Sequence, residues 1–169
     1  DFAIYDFANG IEAIAARKIE LIGDPETRYR EDPVRMLRAV RFATKLNMDI
    51  APESKEPIKE LAVLLKNIPA ARLFEEFLKL FMAGKAFDNF VMLNDLGIIK
   101  QLLPQLAKVL KQDSDGKIFN MITKAMQDTD QRVAIDKPET PAFTFAALLW
   151  YPVEQREEKL LVKSGLNEV

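Results

Sequence analysis

Gly23-Asp24-Pro25-Glu26-Thr27-Arg28-Tyr29-Arg30-Glu31-Asp32-Pro33-Val34-Arg35-Met36-Leu37-Arg38-Ala39-Val40-Arg41-Phe42-Ala43-Thr44-Lys45-Leu46 decides how this chain is read. Gly23-Asp24-Pro25 is a turn signal. Asp32 suits a helix N-cap, and Pro33 stands where a first helical residue would, its missing N–H costing nothing. From Pro33 to Leu46 the periodicity predicts a helix. At roughly 100° per residue, Arg35, Arg38 and Arg41 share one stripe, with Val34 and Phe42 inside it. Met36, Leu37, Val40 and Ala43 share the opposite face.

Three arginines at i, i+3, i+6 repel one another unless an anion or carboxylates lie close. Guanidiniums suit bidentate contacts to phosphates, carboxylates and base edges. Phe42 offers a stacking surface, and the helix N-terminus adds partial positive charge. The helix start, with Glu31, Asp32 and Arg35, is therefore a candidate for reading a nucleotide while the arginines meet phosphate. The same spacing also fits a solvated amphipathic helix whose arginines pair with Glu31, Asp32 and neighbouring helices.

Composition narrows the field. The 169 residues are 49% hydrophobic, enough for a sizeable core. The formal net charge is -2, so RNA contact must rely on a local basic patch. With no cysteine, disulfides and thiolate metal sites are excluded, which is compatible with the cytosol. With no histidine, the commonest general base and metal ligand is missing. No apolar run approaches the roughly 18–20 residues of a membrane span, and no signal peptide is visible.

Around the central stretch, residues 1–7 and 18–22 read as strands, with Asn9-Gly10 a turn and 11–17 a short helix. Two strands alone are marginal in water, so they read as part of a sheet continued upstream, and the chain reads as an excised fragment. From Pro33 onward only helices are expected: 52–66, 70–83, 87–96, 98–112 with a kink or break at Pro104, 117–132, 142–150, and a last charged helix opened by Pro152. Trp150 reads as a core residue at a helix end, with RNA stacking by Trp150-Tyr151 as the other reading.

Glu31-Asp32-Pro33-Val34-Arg35-Met36-Leu37-Arg38-Ala39-Val40-Arg41-Phe42 resembles the EDxxRxxRAxRF motif of the class II polymerase-β-like nucleotidyltransferases, the bacterial poly(A) polymerases and CCA-adding enzymes. The resemblance runs upstream through Ile22 to Arg30 and downstream through Ile68 to Leu80. It covers roughly residues 1–110 well and 141–152 more loosely, and the wording of 23–35 is nearest to the poly(A) branch.

The resemblance implies a mainly α fold: a short β-hairpin remnant of the nucleotidyltransferase head at 1–23, a helical neck at 24–110 and the start of a helical body at 111–169. It implies that Asp32 and Arg35 read the Watson–Crick edge of the incoming base, with Arg38 and Glu31 bracing them. Arg41 and Arg28, with Arg30, would meet phosphate or a carboxylate. Arg72, Glu75 and Glu76 lie on a helix expected behind the base-reading one, Arg72 and Glu76 being an i, i+4 pair.

The implied activity is transfer of AMP from ATP to RNA 3′ ends. CCA addition to tRNA is the runner-up, and a non-catalytic helical RNA-binding module is a third reading. The implied partners are RNA, ATP, the chain's own catalytic head and RNA-decay machinery, in the cytoplasm. Such catalysis needs carboxylates holding two Mg²⁺ ions, which the family carries in its head after a Gly-Ser turn. Asp113-Ser114-Asp115 and Asp128-Thr129-Asp130 follow no such turn and read as loop or helix-end residues. Asp1 and Asp6 are not assigned as metal ligands either. Mg²⁺ would be bound by the head, and the fragment alone is expected to be inactive.

Overall fold

The computed structural model describes residues 3–164, and it is mainly helical. The chain begins with α1 (Gly10–Ala15), β1 (Lys18–Ile19), α2 (Pro25–Glu31), α3 (Val34–Leu46) and β2 (Asp49–Ile50). Next come two single turns, α4 (Pro52–Lys55) and α5 (Ile58–Leu61), and a 3₁₀ helix (Ala62–Asn67). The remainder is α6 (Ala70–Phe81), α7 (Ala86–Asp95), α8 (Ile99–Leu102), α9 (Pro104–Gln112), α10 (Lys117–Ala134) and α11 (Pro141–Ser164).

The short β element is present, and its partner lies downstream. β1 pairs in parallel with β2, Lys18 opposite Asp49 and Ile19 opposite Ile50. Residues 3–9 carry no strand, and the first two residues of that expected strand lie outside the described residues. Asp6 explains the difference. Its carboxylate accepts N–H bonds from Ala8 (3.1 Å), Gly10 (2.9 Å) and Ile11 (2.8 Å), folding the chain into the start of α1. The same bonds, Ile11's foremost, hold its carboxyl below the usual carboxylate range.

α3 is the centre of the fold. Val34, Met36, Leu37, Ala39, Val40, Ala43 and Thr44 are buried, leaving Arg38, Phe42 and Lys45 exposed with Arg35 and Arg41 half-buried. It packs against α2, α6, α7 and both strands. A buried relay fixes its far end: Thr44 Oγ1 donates to Asn89 Oδ1 (2.7 Å), and Asn89 Nδ2 donates to the Leu80 carbonyl (2.6 Å), joining α3, α7 and α6. Asn47 ends α3 in the left-handed conformation (φ 52°), and the Arg17 guanidinium donates to the carbonyls of Leu46 (3.0 Å) and Asn47 (2.7 Å).

Proline punctuation decides the other boundaries. Pro57 divides the expected 52–66 helix into short turns. Pro104 separates α8 from α9 and opens the latter. Pro152 instead lies inside α11, which continues along α9 with one backbone donor fewer. Trp150 therefore sits within a continuous helix and is 63% exposed, which corrects its reading as a core residue. The aromatic packing falls to Phe145, stacked on Phe77 with ring centroids 4.1 Å apart. One apolar cluster runs from Tyr29 to Leu148 across the whole helical array.

α2 was not foreseen as a helix. Its cap is Asp24, which accepts from the Thr27 N–H at 2.8 Å, and these contacts with Thr27 lower its pKa. α2 buries only Tyr29, whose hydroxyl donates to the Ser54 carbonyl at 2.7 Å. The Ser54 Oγ accepts from the Leu21 N–H at 3.1 Å, so one residue ties the β1–α2 connection and α2 to α4.

Burial raises the Tyr29 pKa from 10.0 to about 12. The folded state thus favours the neutral phenol. That stability is fully present below the unfolded pKa and is lost as pH rises from 10.0 towards about 12. Urea midpoints compared between about pH 9 and pH 11 should fall more steeply for wild type than for Tyr29→Phe; parallel slopes would contradict this. Asp130 gives a second check. Its carboxylate accepts from the Ala86 (2.7 Å) and Phe87 (3.0 Å) N–H groups at the start of α7. Asp130→Ala should cost roughly 1–2 kcal/mol in urea denaturation, and Asp130→Asn, whose amide oxygen can accept only one of the two bonds, should fall between wild type and Ala.

Candidate functional site

The junction of α2 and α3 is built by two residues. Asp32 precedes a proline, which disfavours the helical region for it, and it takes an extended conformation (φ -145°, ψ 94°). The chain therefore leaves α2 and re-enters a helix within two residues. The Asp32 carbonyl accepts from the Arg35 N–H at 3.0 Å, and its Oδ1 accepts from the Val34 N–H at 3.3 Å. The expected cap is thus present, with the regular helix starting one residue later than Pro33.

The other carboxylate oxygen looks across to α6. Arg72 Nη2 donates to Asp32 Oδ2 at 2.8 Å. Arg35 lies in the first turn of α3, its Nη2 3.8 Å from Glu31 Oε2, and Glu31 is held in turn by Arg28 at 2.8 Å. Arg38 Nε stands 3.9 Å from Glu76 Oε1, which also takes Lys79 Nζ at 2.9 Å. The Arg41 guanidinium lies over the Phe42 ring, 4.6 Å from its centroid.

The structure therefore brings Glu31, Asp32, Arg35, Arg38, Arg28, Arg72 and Glu76 onto one connected face. The expected Arg72–Glu76 pair is replaced. Arg72, in the first turn of α6, turns to Asp32, while Glu76, 3% exposed, engages Arg38 and Lys79. Arg30 pairs with Glu26 on its own helix at 2.7 Å. Glu75 forms no ion pair among the described residues.

Charge and hydrogen bonding set what this face can do. Among the described residues, Arg28, Arg35, Arg38, Arg72 and Lys79 pair only with Glu31, Asp32 and Glu76, and Arg41 pairs with no acid, a local positive excess on a chain of net charge -2. The Nε atoms of Arg28 and Arg41 and the Oε2 of Glu76 are buried without a protein partner. Most of the ion pairs are partly exposed, where each is worth roughly 0–1 kcal/mol. An incoming polar ligand can exchange with such contacts at low cost.

Of the two Asp-x-Asp pairs, three carboxylates accept backbone N–H groups and the fourth, Asp128, takes the Lys124 ammonium. Asp113 accepts from the Phe119 N–H at 2.8 Å, Asp115 from Lys117, and Asp130 at the start of α7. Among the described residues, no three carboxylates converge as a metal site would require. No described helix is long and apolar enough to cross a membrane.

Comparison with known proteins places the chain among relatives. Residues 47–110 match the family described as the probable RNA and SrmB-binding site of polymerase A. The chain is 46% identical to poly(A) polymerase I of Salmonella typhi over 98% of its own length and 36% of that protein. It is 47% identical to poly(A) polymerase I of Haemophilus influenzae over 99% of its length and 37% of that protein. A crystal structure of the Bacillus stearothermophilus CCA-adding enzyme in complex with CTP superposes with a TM-score of 0.52 at 38% identity, covering 56% of this chain and 24% of that one. The chain thus spans about a third of the length of the curated relatives it matches. With the EDxxRxxRAxRF helix at its centre, the chain is similar along almost its whole length to a segment of poly(A) polymerase I, and over about half of it to a CCA-adding enzyme.

Proposed function

We propose that the protein carrying this chain is a polynucleotide adenylyltransferase that adds AMP from ATP to RNA 3′ ends. In this reading the chain supplies base recognition and an RNA-binding scaffold. Residues 1–23 lead out of a catalytic head, 24–110 form the neck, and 111–169 begin the body. These divisions are of role, since one apolar cluster is shared across the neck–body boundary. The single observation that carries the reading is the first turn of α3, where an acceptor, Asp32, and a donor, Arg35, stand three residues apart on an electropositive face.

Such a pair is a template made of protein. A carboxylate accepts from the exocyclic amine of adenine, and a guanidinium donates to a ring nitrogen. Asp32 is held by its cap bond and by Arg72, while Glu31 and Arg38 flank Arg35. The surrounding arginines, Arg41 and Arg28 among them, favour the triphosphate. In this reading the divalent ions, Mg²⁺, are held by the carboxylates of the head. This chain by itself should transfer nothing. The cytoplasm is the fitting compartment for such an enzyme, and RNA-decay machinery a fitting partner for its product.

The test uses the full-length protein. Loss of a charged hydrogen bond in a desolvated site costs roughly 1.5–3 kcal/mol, which is about tenfold to over a hundredfold. Arg35→Ala should lose that much in kcat/KM for ATP and discriminate less against CTP. Asp32→Asn, which keeps a capping side chain, should relax base choice with little loss of stability. Unchanged ATP and CTP kinetics in both folded variants would overturn the assignment. Addition of two cytidylates before adenylate to a tRNA lacking its terminus would transfer the protein to the CCA-adding branch.

A further inference from the structure

A second basic surface lies between α9 and α11, across the neck–body boundary and apart from the α3 face. Gln105, Lys108, Gln155, Arg156 and Lys159 line a groove there, over a floor of Val109 and Pro152. Lys108, Arg156 and Lys159 are all exposed, and none of the three forms an ion pair among the described residues. Among the described residues, no carboxylate lines the groove.

The sequence explains why they stay unpaired. Helical neighbours stand three and four residues apart. For Lys108 these are Gln105, Pro104, Lys111 and Gln112; for Arg156 they are Val153, Pro152, Lys159 and Leu160. Lys159 has Arg156, Gln155, Val162 and Lys163. No acid occupies any of these positions. At roughly 100° per residue, positions 152, 155, 156 and 159 form one stripe, and Glu154, Glu157 and Glu158 fall on the other side of α11. Like charges at this spacing destabilise a helix. The two helices concentrate cations into the groove and direct the acids away from it. Gln155 Nε2 donates to Gln112 Oε1 at 3.4 Å, linking the walls.

We propose that this groove binds the phosphate backbone of single-stranded RNA. The inference rests on the RNA-tailing reading above and locates a contact surface for the RNA that joins the C-terminal end of the matched 47–110 region to α11 beyond it. Exposed cations without acidic neighbours supply a sequence-independent electrostatic grip. The glutamines add donors and acceptors for ribose and base without repelling phosphate.

Binding of a labelled oligoadenylate by the full-length protein, followed against salt, tests it. On a single strand each phosphate neutralised contributes about 0.7 to the slope of log affinity against log salt. The triple variant Lys108→Gln, Arg156→Gln, Lys159→Gln should make the slope shallower by about 2 and weaken binding at least ~tenfold at low salt. The charge-preserving variant Lys108→Arg, Lys159→Arg should retain the wild-type slope, and Glu154→Gln with Glu158→Gln on the outer side should not weaken binding. A wild-type protein that binds RNA with a slope the triple variant shares would overturn the groove and leave the tailing reading standing. That is also the outcome if the groove holds an acidic protein instead. Absence of RNA binding by the wild type would overturn both.

Discussion

The carboxylate of Asp32 carries two duties, and the arrangement of the α3 face depends on both. One oxygen closes the N-terminus of α3 through the Val34 N–H; the other receives Arg72 from α6. Because a proline follows, the backbone at Asp32 is already extended before either bond forms. The side chain is therefore positioned by covalent geometry, by a cap and by a neighbouring helix together. An acceptor meant to read a base edge needs that kind of support, since misplacement by about 1 Å can cost on the order of a hundredfold in rate.

Support for the rest of α3 comes from burial. Its apolar side is enclosed by α6 and α7, and the Thr44–Asn89–Leu80 relay pins its C-terminal half. The arginines thus project from a rigid element, while their own partners are long or partly exposed: 3.8 Å for Arg35 and 3.9 Å for Arg38. A firm scaffold with loosely held guanidiniums suits a face that exchanges protein contacts for ligand contacts. Glu76 is the exception. Buried at 3% exposure, it relies on Lys79 and Arg38 for compensation, so replacing it would disturb packing and charge together.

Much of this was legible in the sequence because it is local. The arginine stripe, the Asp32 cap and the helical course after Pro33 follow from periodicity and from the chemistry of Asp-Pro. Asp24-Pro25 with Thr27 two residues on is an equally good helix start, and the preceding Gly23 gives the same residues the look of a turn. The Asp32–Arg72 pair was not legible, because 40 residues separate its partners. Spacing suggested Arg72–Glu76 instead, and tertiary packing overrode it. Residues 3–7 alternate like a strand, yet Asp6 captures three backbone N–H groups and the chain turns. Trp150 was misplaced because Pro152 was read as a helix start, whereas α11 runs through it.

The central claim is that the Asp32 carboxylate accepts a hydrogen bond from the exocyclic amine of adenine. A chemical double-mutant cycle reads that bond directly: kcat/KM of the full-length protein and of its Asp32→Asn variant, each with ATP and with purine riboside triphosphate, which lacks the amine. The account predicts that removing the amine costs wild type about tenfold or more and costs Asp32→Asn much less. Equal penalties in the two proteins would contradict it.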